Sequence, residues 1–155
     1  MELFDLMAGL AEKLGIESFQ PSDDGSYNFG VDDMNITIMS IQELNQILIY
    51  SELGDEPPDD PGKLAIAMLQ ANHIFQGTGG ATLAQDPQTR KYTLCRYDNT
   101  RFLDVDALYS IIEKFVNTVE IWQQMIADYR PDFGNGESAS DDAPIPLGNA
   151  NFMSV

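Results

Sequence analysis

Tyr27-Asn28-Phe29-Gly30-Val31-Asp32-Asp33-Met34-Asn35-Ile36-Thr37-Ile38 is the stretch on which the fold turns. Tyr27, Phe29 and Val31 alternate with smaller or polar residues, and Met34, Ile36 and Ile38 do the same beyond Asp32-Asp33. A period of two on both sides of a pair of turn formers predicts a β-hairpin. Upstream, Gln20-Pro21-Ser22-Asp23-Asp24-Gly25 is a dense turn cluster that separates the hairpin from a segment of different period. There Leu3, Leu6, Met7, Leu10 and Leu14 recur at helical spacing, which predicts an amphipathic helix over residues 2–14 with Gly15 as its left-handed stop.

Downstream, Gln46-Ile47-Leu48-Ile49-Tyr50 is apolar on both pleat faces at its middle, the pattern of a central strand covered from both sides. The connection Gly54-Asp55-Glu56-Pro57-Pro58-Asp59 leads to Asp60-Pro61, a cap followed by proline at the first helical position. In the helix that follows, Leu64, Ile66, Met68, Leu69 and Ile74 spread too widely for a one-sided surface helix, so more than one face is expected to be buried before Gly77 ends it. Residues 81–86 and 91–97 flank Pro87-Gln88-Thr89 as a second hairpin. Asp104 then caps the longest helix, striped by Leu108, Ile111, Ile112, Phe115, Val119, Trp122, Ile126 and Tyr129.

The order α-β-β-β-α-β-β-α predicts an α+β fold: a twisted, largely antiparallel five-stranded sheet with three helices. A chain of 155 residues is the size of one core, assigned here to residues 1–130. From 131 to 155 Gly, Ser, Asp, Asn and Pro dominate and periodicity is lost, which reads as an acidic, disordered tail. Its apolar side chains, in Ile145-Pro146-Leu147 and Phe152-Met153, are expected to be undocked.

Asp and Glu number 25 against eight Lys and Arg, a net charge of −17. Such a surface repels phosphate backbones and anionic headgroups, which argues against nucleic-acid and membrane partners and favours basic ones. No apolar run approaches the roughly 18 residues of a membrane span, and Met1-Glu2-Leu3-Phe4-Asp5 lacks the basic start of a secretory signal, so a cytoplasmic protein is expected. Cys95 is the only cysteine and excludes an internal disulfide.

The candidate chemistry is thin. Asp23-Asp24, Asp32-Asp33, Asp55-Glu56 and Asp59-Asp60 fit no calcium-loop spacing and sit where turns and caps need aspartate. Gly77, Gly79 and Gly80 lack the lysine of a phosphate loop and read as a hinge or helix terminator. His73, the sole histidine, lies in a helix, and Cys95 in a strand as a packed thiol. No catalytic, cofactor-binding or metal-binding residues are therefore expected, and the chain reads as a binding protein and not an enzyme.

Three stretches together carry a resemblance. They are the opening helix ending Leu14-Gly15; Met68-Leu69-Gln70-Ala71-Asn72 followed by Gly77-Thr78-Gly79-Gly80-Ala81-Thr82-Leu83; and Leu103-Asp104 leading to Phe115 and Glu120-Ile121-Trp122. In this order and spacing, over residues 2–130, the chain resembles the Tir chaperone (CesT-like) family of type III secretion effector chaperones. The resemblance implies a bacterial cytoplasmic homodimer that wraps an extended N-terminal segment of one or more effectors and needs no ATP of its own. It also admits a secretion-apparatus ATPase or sorting platform as a further partner. It implies guest contacts along the first helix and adjoining sheet, at Leu3, Leu6, Met7, Leu10, Met34, Ile36 and Ile38. Exposed methionines such as Met7 and Met34 would suit a surface that accepts several sequences. Dimer contacts are implied in the middle helix and next strand, at Leu64, Met68, Leu69, Asn72, Phe75, Ala81 and Leu83. The rival reading is an acidic adaptor that regulates a folded partner through one compact face.

Overall fold

The computed structural model describes residues 2–60 and 62–131. The elements run α1 (Leu3–Leu14), β1 (Tyr27–Val31), β2 (Met34–Ile41), β3 (Gln46–Gly54), α2 (Lys63–Asn72), β4 (Thr82–Gln85), β5 (Tyr92–Asn99) and α3 (Val105–Asp128). All sheet pairings are antiparallel and the strand order is β1-β2-β3-β5-β4, so α2 carries the chain from the centre of the sheet to its far edge. Among the described residues, three α-helices and five antiparallel strands make the α+β fold that the sequence predicts. The tail reading, from residue 132 onward, lies outside the described residues, as does Pro61.

Local chemistry sets the boundaries. Gly15 adopts φ 69°, and the amides of Gly15 and Ile16 close on the carbonyls of Glu12 and Ala11, a glycine-terminated helix end. Asp32, at φ 51°, makes the two-residue turn that pairs Val31 with Met34. The Asp104 carboxylate accepts from the Ala107 amide at 2.8 Å and starts α3.

Two boundaries differ from the sequence expectation by more than two residues. β3 continues past Tyr50 to Gly54 because Ser51, although it breaks the apolar pattern, is buried and donates its hydroxyl to the Asn35 carbonyl at 2.9 Å. At the other boundary, α2 starts at Lys63, where the Asp60 carboxylate still accepts from the Lys63 and Leu64 amides, and it ends at Asn72 instead of reaching Gly77. The Asn72 amide turns to bridge β4, donating to the Leu83 carbonyl at 3.0 Å and accepting from the Leu83 amide at 2.8 Å. A 3-10 turn over His73–Phe75 follows.

The core lies between one face of the sheet and the pair α1 and α3. Ile36 and Ile38 of β2, Ile47 and Ile49 of β3, and Leu94 of β5 point into it with Leu6, Leu10, Leu108 and Val119. A Cβ on Gly9 would lie 2.5 Å from Val105 Cγ2, so only glycine allows α1 this close to the start of α3. Trp122, fully buried, donates its indole N–H to the Gly77 carbonyl at 2.9 Å and thereby ties α3 to the loop before β4. Arg96 holds the same loop from β5, donating to the Gly79 carbonyl at 3.1 Å while its guanidinium pairs with both oxygens of Asp98.

Candidate functional site

The acidic pairs do structural work at turns and caps. Asp24 accepts from the Ser26 hydroxyl at 2.7 Å and the Ser26 amide at 3.0 Å, which holds its carboxyl below the usual range, and Asp60 caps α2. Burial pushes the Cys95 thiol up, away from the reactive thiolate, and its sulfur faces the Thr82 carbonyl. His73 is exposed in the 3-10 turn after α2. Among the described residues no group of three His, Cys, Asp or Glu is placed to hold a metal ion, and no helix is long and apolar enough to cross a membrane.

The seven residues expected to contact a guest occupy the core instead. Leu3, Leu6, Met7, Leu10, Met34, Ile36 and Ile38 range from 0% to 6% exposed. The apolar stripe of α1 and the inner row of β2 are buried within the same chain, so neither Met7 nor Met34 is the exposed adaptable methionine the resemblance suggests. An amphipathic stripe satisfies its own core first, and that is what these side chains do.

The opposite parity of the same strands stays open. Met39 of β2, Leu48 of β3 and Tyr97 of β5 stand in register across three strands, with Thr37, Tyr50, Cys95 and Thr82 as the next row. Met39, Leu48 and Tyr50 are half-buried and Tyr97 is 55% exposed. β3 is therefore fully buried on one side only, contrary to its apolar pattern. That pattern, apolar on both pleat faces of 46–50, is the sequence signal that points to Leu48 and Tyr50. The sheet also ends in two edge strands, β1 and β4.

A second open surface lies on α2. Leu64, Met68 and Ala71 face inward, whereas Ile66, Leu69, Ile74 and Phe75 are 51% to 68% exposed. The wide apolar spread of this helix thus produces one buried face and one bare face within the chain. Ile74 and Phe75 adopt left-handed φ values of 50° and 57°, a conformation that costs a β-branched or bulky residue about 1 kcal/mol or more, and both turn outward. Of the seven residues expected at a dimer contact, Leu69 and Phe75 are outward. Leu64, Met68, Ala81 and Leu83 belong to the chain's own core, and Asn72 is the bridge between α2 and β4.

No curated protein matches the chain in sequence. Solved structures share its fold. The ExsC–ExsE complex aligns at 17% identity over 81% of this chain and 97% of that one, with a TM-score of 0.68. The HopA1–SchA chaperone–effector complex aligns at 16% identity over 77% and 91%, with a TM-score of 0.65. The Yersinia pestis type III secretion chaperone SycH, in complex with a stable fragment of YscM2, aligns at 17% identity over 76% and 96%, with a TM-score of 0.62. At these identities the likeness is one of fold. The profile of the Tir chaperone protein (CesT) family, however, matches residues 5–123, and the chain belongs to that family.

Proposed function

We propose that this chain is a type III secretion effector chaperone, working as a homodimer in the bacterial cytoplasm by binding and not by catalysis. It holds the N-terminal segment of one or more effectors in an extended, secretion-competent state until the secretion apparatus, through its ATPase or sorting platform, takes the guest over. The observation that carries this reading is the uncovered outer sheet face, where Met39, Leu48 and Tyr97 form an apolar row across three strands. An unfolded guest can lay alternate side chains on such a row while an edge strand satisfies its backbone. Extended guests of this kind bury on the order of 1,000 to 3,000 Å² and lose several kcal/mol to ordering, so a broad face serves them better than one deep pocket. The first-helix and β2 residues enter the reading as the rigid layer beneath that face.

The second copy seats on α2 and the 3-10 turn after it, where Ile66, Leu69, Ile74 and Phe75 are apolar and open. Covering them removes apolar area from water at about 25 cal/mol per Å² and offsets the strain of the turn. Paired substitution Leu69→Asp with Phe75→Asp leaves a folded monomer by sedimentation; an intact dimer would remove α2 from the interface.

Co-expression with a candidate effector followed by limited proteolysis tests the function itself. Protection of an extended stretch near the partner's start supports it, and the Leu48→Asp chain should lose that protection while still folding. Co-purification of a folded domain alone would favour the adaptor reading.

A further inference from the structure

We infer that the guest is a basic amphipathic segment, and that one of its lysine or arginine side chains fills a cleft between Asp33 and Glu52 beside the outer apolar rows. The inference rests on the outer sheet face being the guest surface. The cleft encloses about 410 Å³ and is lined by Asp33, Asn35, Thr37, Tyr50, Glu52 and Gln123, among others. Thr37 and Tyr50 are paired neighbours in the row next to Met39 and Leu48, so the cleft mouth opens two residues, about 7 Å, along the strands from the apolar row. A lysine or arginine stem spans that distance, its methylenes lying over apolar surface and its charged head in the cleft.

The walls suit a cation. Asp33 and Glu52 supply carboxylates, Tyr50 supplies an aromatic ring, and Asn35, Thr37 and Gln123 supply neutral oxygens. Most of the basic residues nearby are already engaged: Lys91 holds one oxygen of Glu52 at 2.9 Å, and Arg90 holds Glu56 at 2.8 Å. Burial raises the Tyr50 hydroxyl, and the charges of Glu52 and Asp86 raise it further, while Lys91 also feels Asp55. Around this end of the face, Asp33, Glu52, Asp55 and Asp86 therefore outnumber the cation beside them, Lys91, which is itself paired with Glu52, in a protein whose net charge is already −17. An acidic guest is repelled here and a neutral one leaves the carboxylates to water, whereas a basic one gains both steering and a paired end point.

A library of random peptides displayed on phage, selected on the full-length chain, reads out both layers separately. The expected result is enrichment of apolar residues together with Lys or Arg on the native chain. Enrichment of Lys and Arg should disappear on the Asp33→Asn, Glu52→Gln double variant, while apolar enrichment persists. A selected basic peptide should bind the double variant about fivefold more weakly at low salt, the scale of a solvent-accessible ion pair, and the gap should close as salt is raised. Apolar enrichment without Lys or Arg, or equal binding to both chains, overturns the basic-guest inference and leaves the outer face as guest surface. No enrichment on the native chain, or enrichment that Leu48→Asp leaves unchanged, overturns the guest face and the inference with it.

Discussion

The inner and outer faces of the sheet are made by the same strands and differ only in parity. On β3, Ile47, Ile49, Ser51 and Leu53 point inward and are buried, while Gln46, Leu48, Tyr50 and Glu52 point outward and are not fully covered. Two helices, α1 and α3, cover the inner face. The third, α2, lies at the β4 edge, held there by the Asn72 bridge, and the outer face leaves Met39, Leu48 and Tyr50 half-buried and Tyr97 exposed. An apolar strand residue therefore has two possible fates, and which one it meets depends on how many helices remain to cover its side.

The same charge placed on each layer should have opposite consequences. Leu10 is 1% exposed and lies in the inner layer. Truncation to alanine should cost about 3 kcal/mol, and Leu10→Asp, which buries an unpaired carboxylate, should cost about 5 kcal/mol or more. Because a domain of this kind has only about 5–15 kcal/mol of stability, the Asp variant is expected to unfold, with loss of the near-ultraviolet signal of Trp122. A folded Leu10→Asp chain would mean that α1 is not seated as described.

Next in size is the bridge that keeps α2 at the edge. Asn72→Ala leaves the Leu83 N–H and C=O without their partners and should cost about 2 kcal/mol in urea unfolding. The Leu83 amide should also exchange with solvent faster than its neighbours across the β4–β5 pair. An unchanged exchange rate would show that β4 holds its place without the bridge.

The same residues explain what the sequence could and could not disclose. The first hairpin, α1 and α3 were legible because period two and period 3.6 are properties of the local chain, and each has a clear punctuation mark: the turn Asp32-Asp33, the stop Gly15 or the cap Asp104. The end of α2 was not legible. It depends on Asn72 finding a strand eleven residues away and on Ile74 and Phe75 entering a conformation that local propensity disfavours. For the site, an amphipathic stripe looks identical whether it meets its own core or a partner, so the α1 and β2 residues read equally well either way. Met39 and Tyr97 gained meaning only from the order β2-β3-β5, which sets them beside Leu48.

A smaller effect on stability, with a larger one on binding, is expected from Leu48→Asp. The side chain is only half-buried on the open face, so the fold should change by about 1 kcal/mol or less. Guest protection should nevertheless be lost. Set against Leu10→Asp, the pair separates the two layers: one variant removes the fold, the other removes the function from a fold that persists. If both unfold, the outer row is core, and the uncovered face does not exist in solution.

The finest test concerns the edge of the sheet and not its faces. The Asp24 carboxylate is held low chiefly by the Ser26 hydroxyl and then by the Ser26 amide, in the turn that delivers the chain to edge strand β1. A carboxyl lowered on folding contributes stability above its unfolded value, and that contribution is lost as pH falls through the folded value. Because Asp24 is exposed, the effect should be small and local. Amides of β1 are therefore expected to lose protection in acid before those of central β3, after correction for intrinsic exchange. In Asp24→Asn this acid-dependent gap should shrink, since the side chain no longer titrates, while protection near neutral pH falls slightly toward the acid level. Equal acid sensitivity of β1 in both chains would assign the edge's weakness to its missing neighbour strand alone.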